Sequence, residues 1–364
     1  MLYQTIKRVC CLLTSLFLLS CNDHAGSALD EVTTVFTFSD FKDNKELIGE
    51  ELHVDNLLYP GYLEVIPEEN LLIALEMEGA FFGKVYTLDS LHFITQFIEK
   101  GKGPDAQLST SSIQYVKEER VLYVGDVLKR QLYAYAVDSI LSGLHPIRPI
   151  KVVDFHNEPI MKPIVLKGQR YVDLYSSFNT DSIASMGFYD LDGTLKEIAG
   201  TYPNDVSDFN PPEWLNVFMS GLNTSADGDK ILLNYYFTDY LDMYGADGKL
   251  EKRVHGPDGF EPIFKRIKVG ERFGNVQDKE KAKRGYAGVA HMSDSVLVLY
   301  NGGSVKEGDY HVEKMLSFDE NLVPSIIYQL DKPIFYFDVD WSTNTIYGLT
   351  HKGENNIVRF NLNE

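Results

Sequence analysis

Cys21 is the residue whose surroundings point most directly to chemistry. It follows Leu18-Leu19-Ser20, at the end of an apolar run, Val9 to Leu19, that begins after the basic pair Lys7 and Arg8. A positive segment, a short apolar segment and a small residue before a cut are the three parts of a secretory signal. The run is about a dozen residues, well short of the roughly 20 that span a bilayer as a helix. The chain has three cysteines, Cys10, Cys11 and Cys21. Cleavage before Cys21 removes two and leaves the third without a disulfide partner in an oxidising compartment. Acylation of its thiol would resolve that, and stable anchoring takes more than one acyl chain. Residues 1–20 are therefore expected to be a removable signal, 21–30 a tether and 31–364 the folded body.

Other familiar chemistry is not visible. The nine histidines are scattered, with no pair at metal-ligand spacing, and the mature chain keeps no thiol cluster. No Gly-x-Ser-x-Gly elbow occurs. Asp190-x-Asp192-Gly193 and Asp227-Gly228-Asp229 lack the further acidic ligands of a calcium loop and read as hairpin turns. Net charge is −19, and −21 once Lys7 and Arg8 leave with the signal, which argues against a nucleic-acid partner.

Two segments break the acidic, polar background. Lys265 to Arg284 carries eight basic residues, among them Lys265, Arg266, Lys283 and Arg284, against Glu271, Asp278 and Glu280, and Tyr286 follows it. It reads either as an anion- or glycan-binding rim or as a solvated helical insertion. Pro211 to Phe218 places Trp214 and Phe218 in a polar linker. These are either exposed binding groups or one side of a short helix packed on its neighbours.

The elements that would position these residues form a repeat. A motif aromatic–x–apolar–Asp occurs at Tyr86 to Asp89, Tyr135 to Asp138, Tyr189 to Asp192 and Tyr244 to Asp247, with degraded copies at Leu316 to Asp319 and Phe360 to Asn363. In phase with it, six apolar runs begin at Leu71, Val121, Tyr171, Ile231, Val296 and Ile346, each after a short polar turn. Such turns between apolar runs are hairpin signals. In the first unit the strands are expected at Tyr62 to Ile66, Leu71 to Leu75, Lys84 to Leu88 and Phe93 to Ile98. Four antiparallel strands repeated six times give an all-β, six-bladed β-propeller with four-stranded antiparallel blades. The sixth unit stops after its third strand. Glu31 to Asp40 alternates like a strand, so an N-terminal strand is expected there to close the last blade and cover its edge.

Gly101-Lys102-Gly103-Pro104 follows the fourth strand of unit one, and Gly256-Pro257-Asp258-Gly259-Phe260 sits at the same phase after unit four. With the blade repeat, and with Leu18-Leu19-Ser20-Cys21, which resembles a bacterial lipobox, these make the mature chain similar to the TolB-like six-bladed propeller lipoproteins. That resemblance implies a binding or scaffold protein of a Gram-negative-type cell envelope, lipid-anchored and either periplasmic or surface-exposed. It implies no particular reaction.

The fold then orders the candidate sites. First strands line the central channel of a propeller and here offer Glu64, Gln114, Asn223, His291, Asp338 and Asp340. Oxygen ligands of this kind suit Ca2+, and six-bladed propeller lactonases hold calcium in such a ring. Connections from strand one to two and from three to four should lie on one end of the disc and be short. The remaining connections are long and lie on the other end, where functional loops gather on a rigid scaffold. The sequence thus reads as a membrane-anchored, non-catalytic propeller without a cofactor that binds a protein, peptide or glycan partner. The alternative is a hydrolase or lactonase using the channel.

Overall fold

The turn-bounded apolar runs fold as strands, and each set becomes one antiparallel sheet. The computed structural model describes residues 33–364, apart from 157, 169, 176–182, 205–208, 271 and 354. Cys21, the signal segment and the tether lie outside the described residues. Blade one is Pro60–Ile66, Leu71–Glu76, Phe81–Thr87 and Phe93–Glu99. Blade two is Ser112–Val116, Val121–Asp126, Gln131–Ala136 and Lys151–Asp154. Blade three is Ile164–Leu166, Arg170–Leu174, Met186–Tyr189 and Leu195–Ala199. Blade four is Ser220–Thr224, Lys230–Tyr235, Tyr240–Gly245 and Leu250–His255. Blade five is Tyr286–Met292, Ser295–Tyr300, Val312–Asp319 and Pro324–Ile334. Blade six begins with Tyr336–Asp340, Thr345–Leu349 and Ile357–Asn361. First strands of successive blades touch, and blade six touches blade one, so the ring closes.

The repeat marks where blades meet. The first residue of every motif copy, Tyr86, Tyr135, Tyr189, Tyr244, Leu316 and Phe360, is buried. Second strands such as Leu71–Glu76 and Val121–Asp126 are buried along their whole length, because neighbouring blades cover both faces. Carboxylates in or near the motif organise the turns, and in the third copy it is Asp190, at the variable second position, that does so. Asp190 Oδ1 accepts the N–H groups of Asp192 and Thr194 at 3.0 Å, and Asp319 Oδ1 those of Asn321 and Val323 at 2.9 Å. Asp227 does the same for Asp229 at 3.1 Å. These carboxylates are turn acceptors, as the hairpin reading of Asp190–Gly193 and Asp227–Asp229 expects.

The closing strand lies elsewhere than expected. Glu50–Leu52, not Glu31 to Asp40, pairs antiparallel with Ile357–Asn361 and completes blade six. Ahead of it the chain is laced along the rim. Thr33–Val35 is a fifth strand outside Leu250–His255 of blade four, and Asp43–Leu47 runs parallel to Pro324–Ile334 as a fifth strand of blade five. The apolar alternation of residues 32–38 misleads because Val35 is 69% exposed, while Phe36 is buried, edge-on to Phe41 and Phe318. An outermost strand buries one face at most, so Glu50-Glu51-Leu52 needs almost no apolar pattern. Gly49 permits the close approach, since a Cβ there would lie 2.5 Å from Val358 and 2.7 Å from Phe360.

The two ends of the disc differ as the loop lengths require. Connections within hairpins, such as 117–120, 225–229 and 341–344, are tight. The exception is 137–150 in blade two, which carries the helix Val137–Leu141. At the other end lie 100–111, 200–219, 256–285 and 301–311, although blades five and six are joined there by Phe335 alone. No helix among the described residues is long and apolar enough to cross a membrane.

Candidate binding site

Several side chains singled out from the sequence prove to be structural. Pro211–Val217 is a helix, begun by Asn210 and Glu213 in a capping box and by prolines in its first turn. Trp214 and Phe218 are buried between it and blades three and four, with Tyr202 stacked on Phe218 at 5.3 Å and the indole N–H donated to the Phe209 carbonyl at 3.1 Å. Neither offers a face to a partner, so both are corrected from binding groups to core. Tyr286 is also buried, its hydroxyl donated to the Gly256 carbonyl at 2.6 Å. It anchors the Gly256–Phe260 loop, whose amides at Asp258, Gly259 and Phe260 converge on buried Asp239.

The basic stretch is not a helical insertion. It begins as a two-stranded hairpin, Phe264–Val269 with Arg272–Gln277, leaning on the Pro211–Val217 helix. Its charge is partly spent locally. Lys265 pairs with Asp278 at 2.8 Å, which holds that carboxyl below its ordinary value, and Arg266 lies 3.8 Å from Glu213. Lys283 is exposed, with its ammonium 5.5 Å from the centre of the Phe260 ring.

In the channel, the expected residues bind blade to blade. Asp338 of blade six accepts the Val65 N–H of blade one at 2.5 Å. Glu64 of blade one accepts the Tyr115 N–H of blade two at 2.7 Å. Gln114 of blade two accepts the Val165 N–H of blade three at 2.7 Å and donates to its carbonyl at 3.1 Å. At these three junctions a polar side chain of one blade satisfies a backbone group on the next, where an unpaired N–H would be costly. Burial, and then the charge of Asp338, push the Glu64 carboxyl well above the usual range, against the Tyr115 hydrogen bond. Asn223 donates within its own blade, to Leu232 O at 3.3 Å and Asn234 Oδ1 at 2.9 Å. Asp340, at the plain end of its first strand, accepts from Ser342 and Thr343 of the following turn rather than from a neighbouring blade. Burial opposes its charge, yet those bonds hold its carboxyl below the ordinary value. His291 stands in a first strand, but its side chain lies outside the described residues. Among the described residues no three His, Cys, Asp or Glu side chains gather as a metal site.

The elaborated end holds a concave site that the sequence indicated only through Arg284 and Tyr286. A cavity of about 260 Å³ is lined by Tyr236, Phe237, Arg284, Asn301, Tyr310 and Phe335, with the Tyr286–Gly288 backbone beneath. Tyr236 and Phe237 come from the strand two–three connection of blade four, Tyr310 from that of blade five, and Phe335 from the link to blade six. Gly288, at φ +63°, sits in a bulge of the first strand of blade five, and a Cβ there would lie 2.7 Å from the Phe335 carbonyl oxygen. Its carbonyl accepts the Tyr236 hydroxyl at 3.3 Å. The Nε of Arg284 is buried and has no hydrogen-bond partner among the described residues. Aromatic walls with a few polar groups are the usual make-up of a small-ligand site. No sequence motif marks Tyr236, Phe237, Tyr310 or Phe335. Their only common signal is position in connections at one end of the disc, of which only the one carrying Tyr310 is long.

A histidine pair buttresses this cavity. His351 Nε2 donates to the Pro60 carbonyl at 3.1 Å, and in the neutral ring its Nδ1 accepts the Tyr310 hydroxyl at 3.0 Å. The His351 N–H donates to His311 Nε2 at 3.1 Å, which leaves His311 Nδ1 protonated toward Asp309 at 3.1 Å. His311 is therefore neutral, and burial, which lowers the pKa of both rings, favours the neutral form of His351 as well.

Comparison with known proteins adds the family. A family model described as TolB-like 6-blade propeller-like matches residues 37–342. No curated protein matches. Among solved structures, a protein of Bacteroides fragilis that is named as an exported protein has 11% identity and a TM-score of 0.52, over 90% of this chain and 98% of that one. A member of the duf4221 family from Bacteroides vulgatus has 10% identity and a TM-score of 0.51, over 86% of this chain and 95% of that one. At such identities the likeness is one of fold.

Proposed function

The chain belongs to the TolB-like six-bladed propeller family, and on that premise we propose that it is an exported, lipid-anchored recognition protein whose partner seats in the cavity at the elaborated end. The observation that carries this reading is the aromatic-walled cavity with Arg284 on its lining, its buried Nε lacking a partner. Connections of blades four and five and the link to blade six converge to build it, at the end where most of the long loops lie. Of a protein, peptide or glycan partner, the cavity favours a glycan. Ring faces of Tyr236, Phe237, Tyr310 and Phe335 suit the apolar faces of a sugar, while Arg284 and Asn301 suit its oxygens. The signal-like N-terminus and Cys21 support the envelope address, and a fold shared with a protein named as exported is consistent with it.

The test is a glycan and peptide array probed with the wild-type protein and with Arg284→Ala and Phe335→Ala. Each substitution should weaken a hit at least about tenfold, the scale of a lost charge-assisted bond or ring contact. Hits that survive both changes would place recognition elsewhere. The anchor is checked separately: Cys21→Ala should move the protein out of the detergent phase, and unchanged partition would remove the lipid from the account.

A further inference from the structure

The upper channel contains donors that the blade-to-blade bonding does not use. A cavity of about 200 Å³ runs along it, with Lys162, Tyr62 and Tyr336 toward the elaborated end and Ser225 and Ala226 of a plain-end turn at the other. At about 30 Å³ per water it has room for roughly six waters or a small organic molecule of that size. Lys162 reaches it from the connection just before blade three. Its ammonium donates to the Tyr236 hydroxyl at 2.6 Å, and that hydroxyl passes its own proton to the Gly288 carbonyl. Among the described residues no carboxylate forms an ion pair with Lys162, and two of its three N–H groups have no acceptor. Nor does either hydroxyl of Tyr62 or Tyr336 have a hydrogen-bond partner there, although both residues line the same cavity and their rings meet edge to face at 5.5 Å.

The charge of Asp173 acts on this ammonium without forming an ion pair with it, and an ammonium so placed is costly unless a closer anion joins it. Burial works against the Lys162 charge, but its surroundings, with the Tyr236 hydrogen bond and the Asp173 carboxylate among them, keep its pKa raised. Burial raises the Tyr62 and Tyr336 phenols too, so both stay donors at neutral pH. The acidic side chains in the cavity are occupied. Asp338 takes the Val65 and Val339 N–H groups, and Glu64 takes that of Tyr115. What remains unspent is one cation and two hydroxyl donors around a small, partly aromatic space. That set matches a carboxylate, which only accepts hydrogen bonds and carries one negative charge.

We propose that the central channel binds a small organic monocarboxylate, its oxygens held by Lys162 and by the hydroxyls of Tyr62 and Tyr336. This site meets the cavity at the elaborated end at Tyr236, but its ligand donors, Lys162, Tyr62 and Tyr336, do not line that cavity, and it would stand if that reading fell. The experiment is calorimetric titration of the full-length protein in detergent at pH 7 with acetate, pyruvate and, as the uncharged counterpart, acetamide. Acetate or pyruvate should bind saturably and acetamide should not. Lys162→Met should weaken the carboxylate at least about tenfold, and Tyr62→Phe and Tyr336→Phe several-fold each, because they remove single donors to a charged group. If Lys162→Met does not fold, the two phenylalanine variants decide, since they delete only hydroxyls. Wild-type protein blind to both acids, acetamide binding as well as acetate, or affinity unchanged in the folded variants would each overturn the proposal.

Discussion

His311 is held neutral by the backbone N–H that it accepts from His351, and burial favours the neutral form of both rings. A protonated His311 could not accept the His351 N–H, and a protonated His351 could not accept the Tyr310 hydroxyl. Around His311 stand Asp309, Lys352, Tyr310, Phe335 and His351, and around His351 stand Tyr59, Tyr310, Phe335 and the Pro60 carbonyl. Burial lowers both pKa values in the folded state, whereas the unfolded chain titrates near 6.5. The unfolded state therefore binds more protons as pH falls through about 6.5, and stability should fall with it. His311→Gln keeps an acceptor and does not titrate. Urea unfolding at pH 7.5 and 5 should show a smaller acid loss in this variant than in the wild type. Equal losses would mean that the pair does not couple acid to the fold. The sequence shows nine scattered histidines and no sign of this pairing, because residues 311 and 351 meet only through the connections of two different blades.

Elements were far more legible than sites. Turn-bounded apolar runs located the second strand of all six blades, since a strand buried on both faces cannot avoid being apolar. The short helix at Trp214 was foreseen as one of two readings, and burial decides between them. The hairpin at Phe264–Gln277 was not foreseen, because its charged residues mask a two-residue alternation. Glu50–Leu52 escaped for the opposite reason, as an outermost strand with hardly any apolar content. Its place makes a direct prediction. Gly49→Val should crowd Val358 and Phe360 and cost about 1–3 kcal/mol, the range for overpacking. Val35→Ala, on the exposed strand first expected to close the ring, should stay within about 0.5 kcal/mol. Denaturant midpoints would show both, and the reverse ranking would return closure to the earlier strand.

For the whole molecule, ring closure fixes six blades around a channel, and loop length then makes the two ends unequal. The first was readable as a repeat of six and the second as a run of long connections. Which side chains face each other across the elaborated end was not readable, because Tyr236, Arg284, Tyr310 and Phe335 come from separate blades with no common spacing. The central claim is that recognition occurs at that end. Hydrogen–deuterium exchange with the strongest array ligand tests it most directly. Bound ligand should protect residues 236–239, 283–288 and 301–311, and leave the turns 117–120, 225–229 and 341–344 unchanged. Protection confined to those turns would contradict the account and put the binding face on the opposite end of the disc.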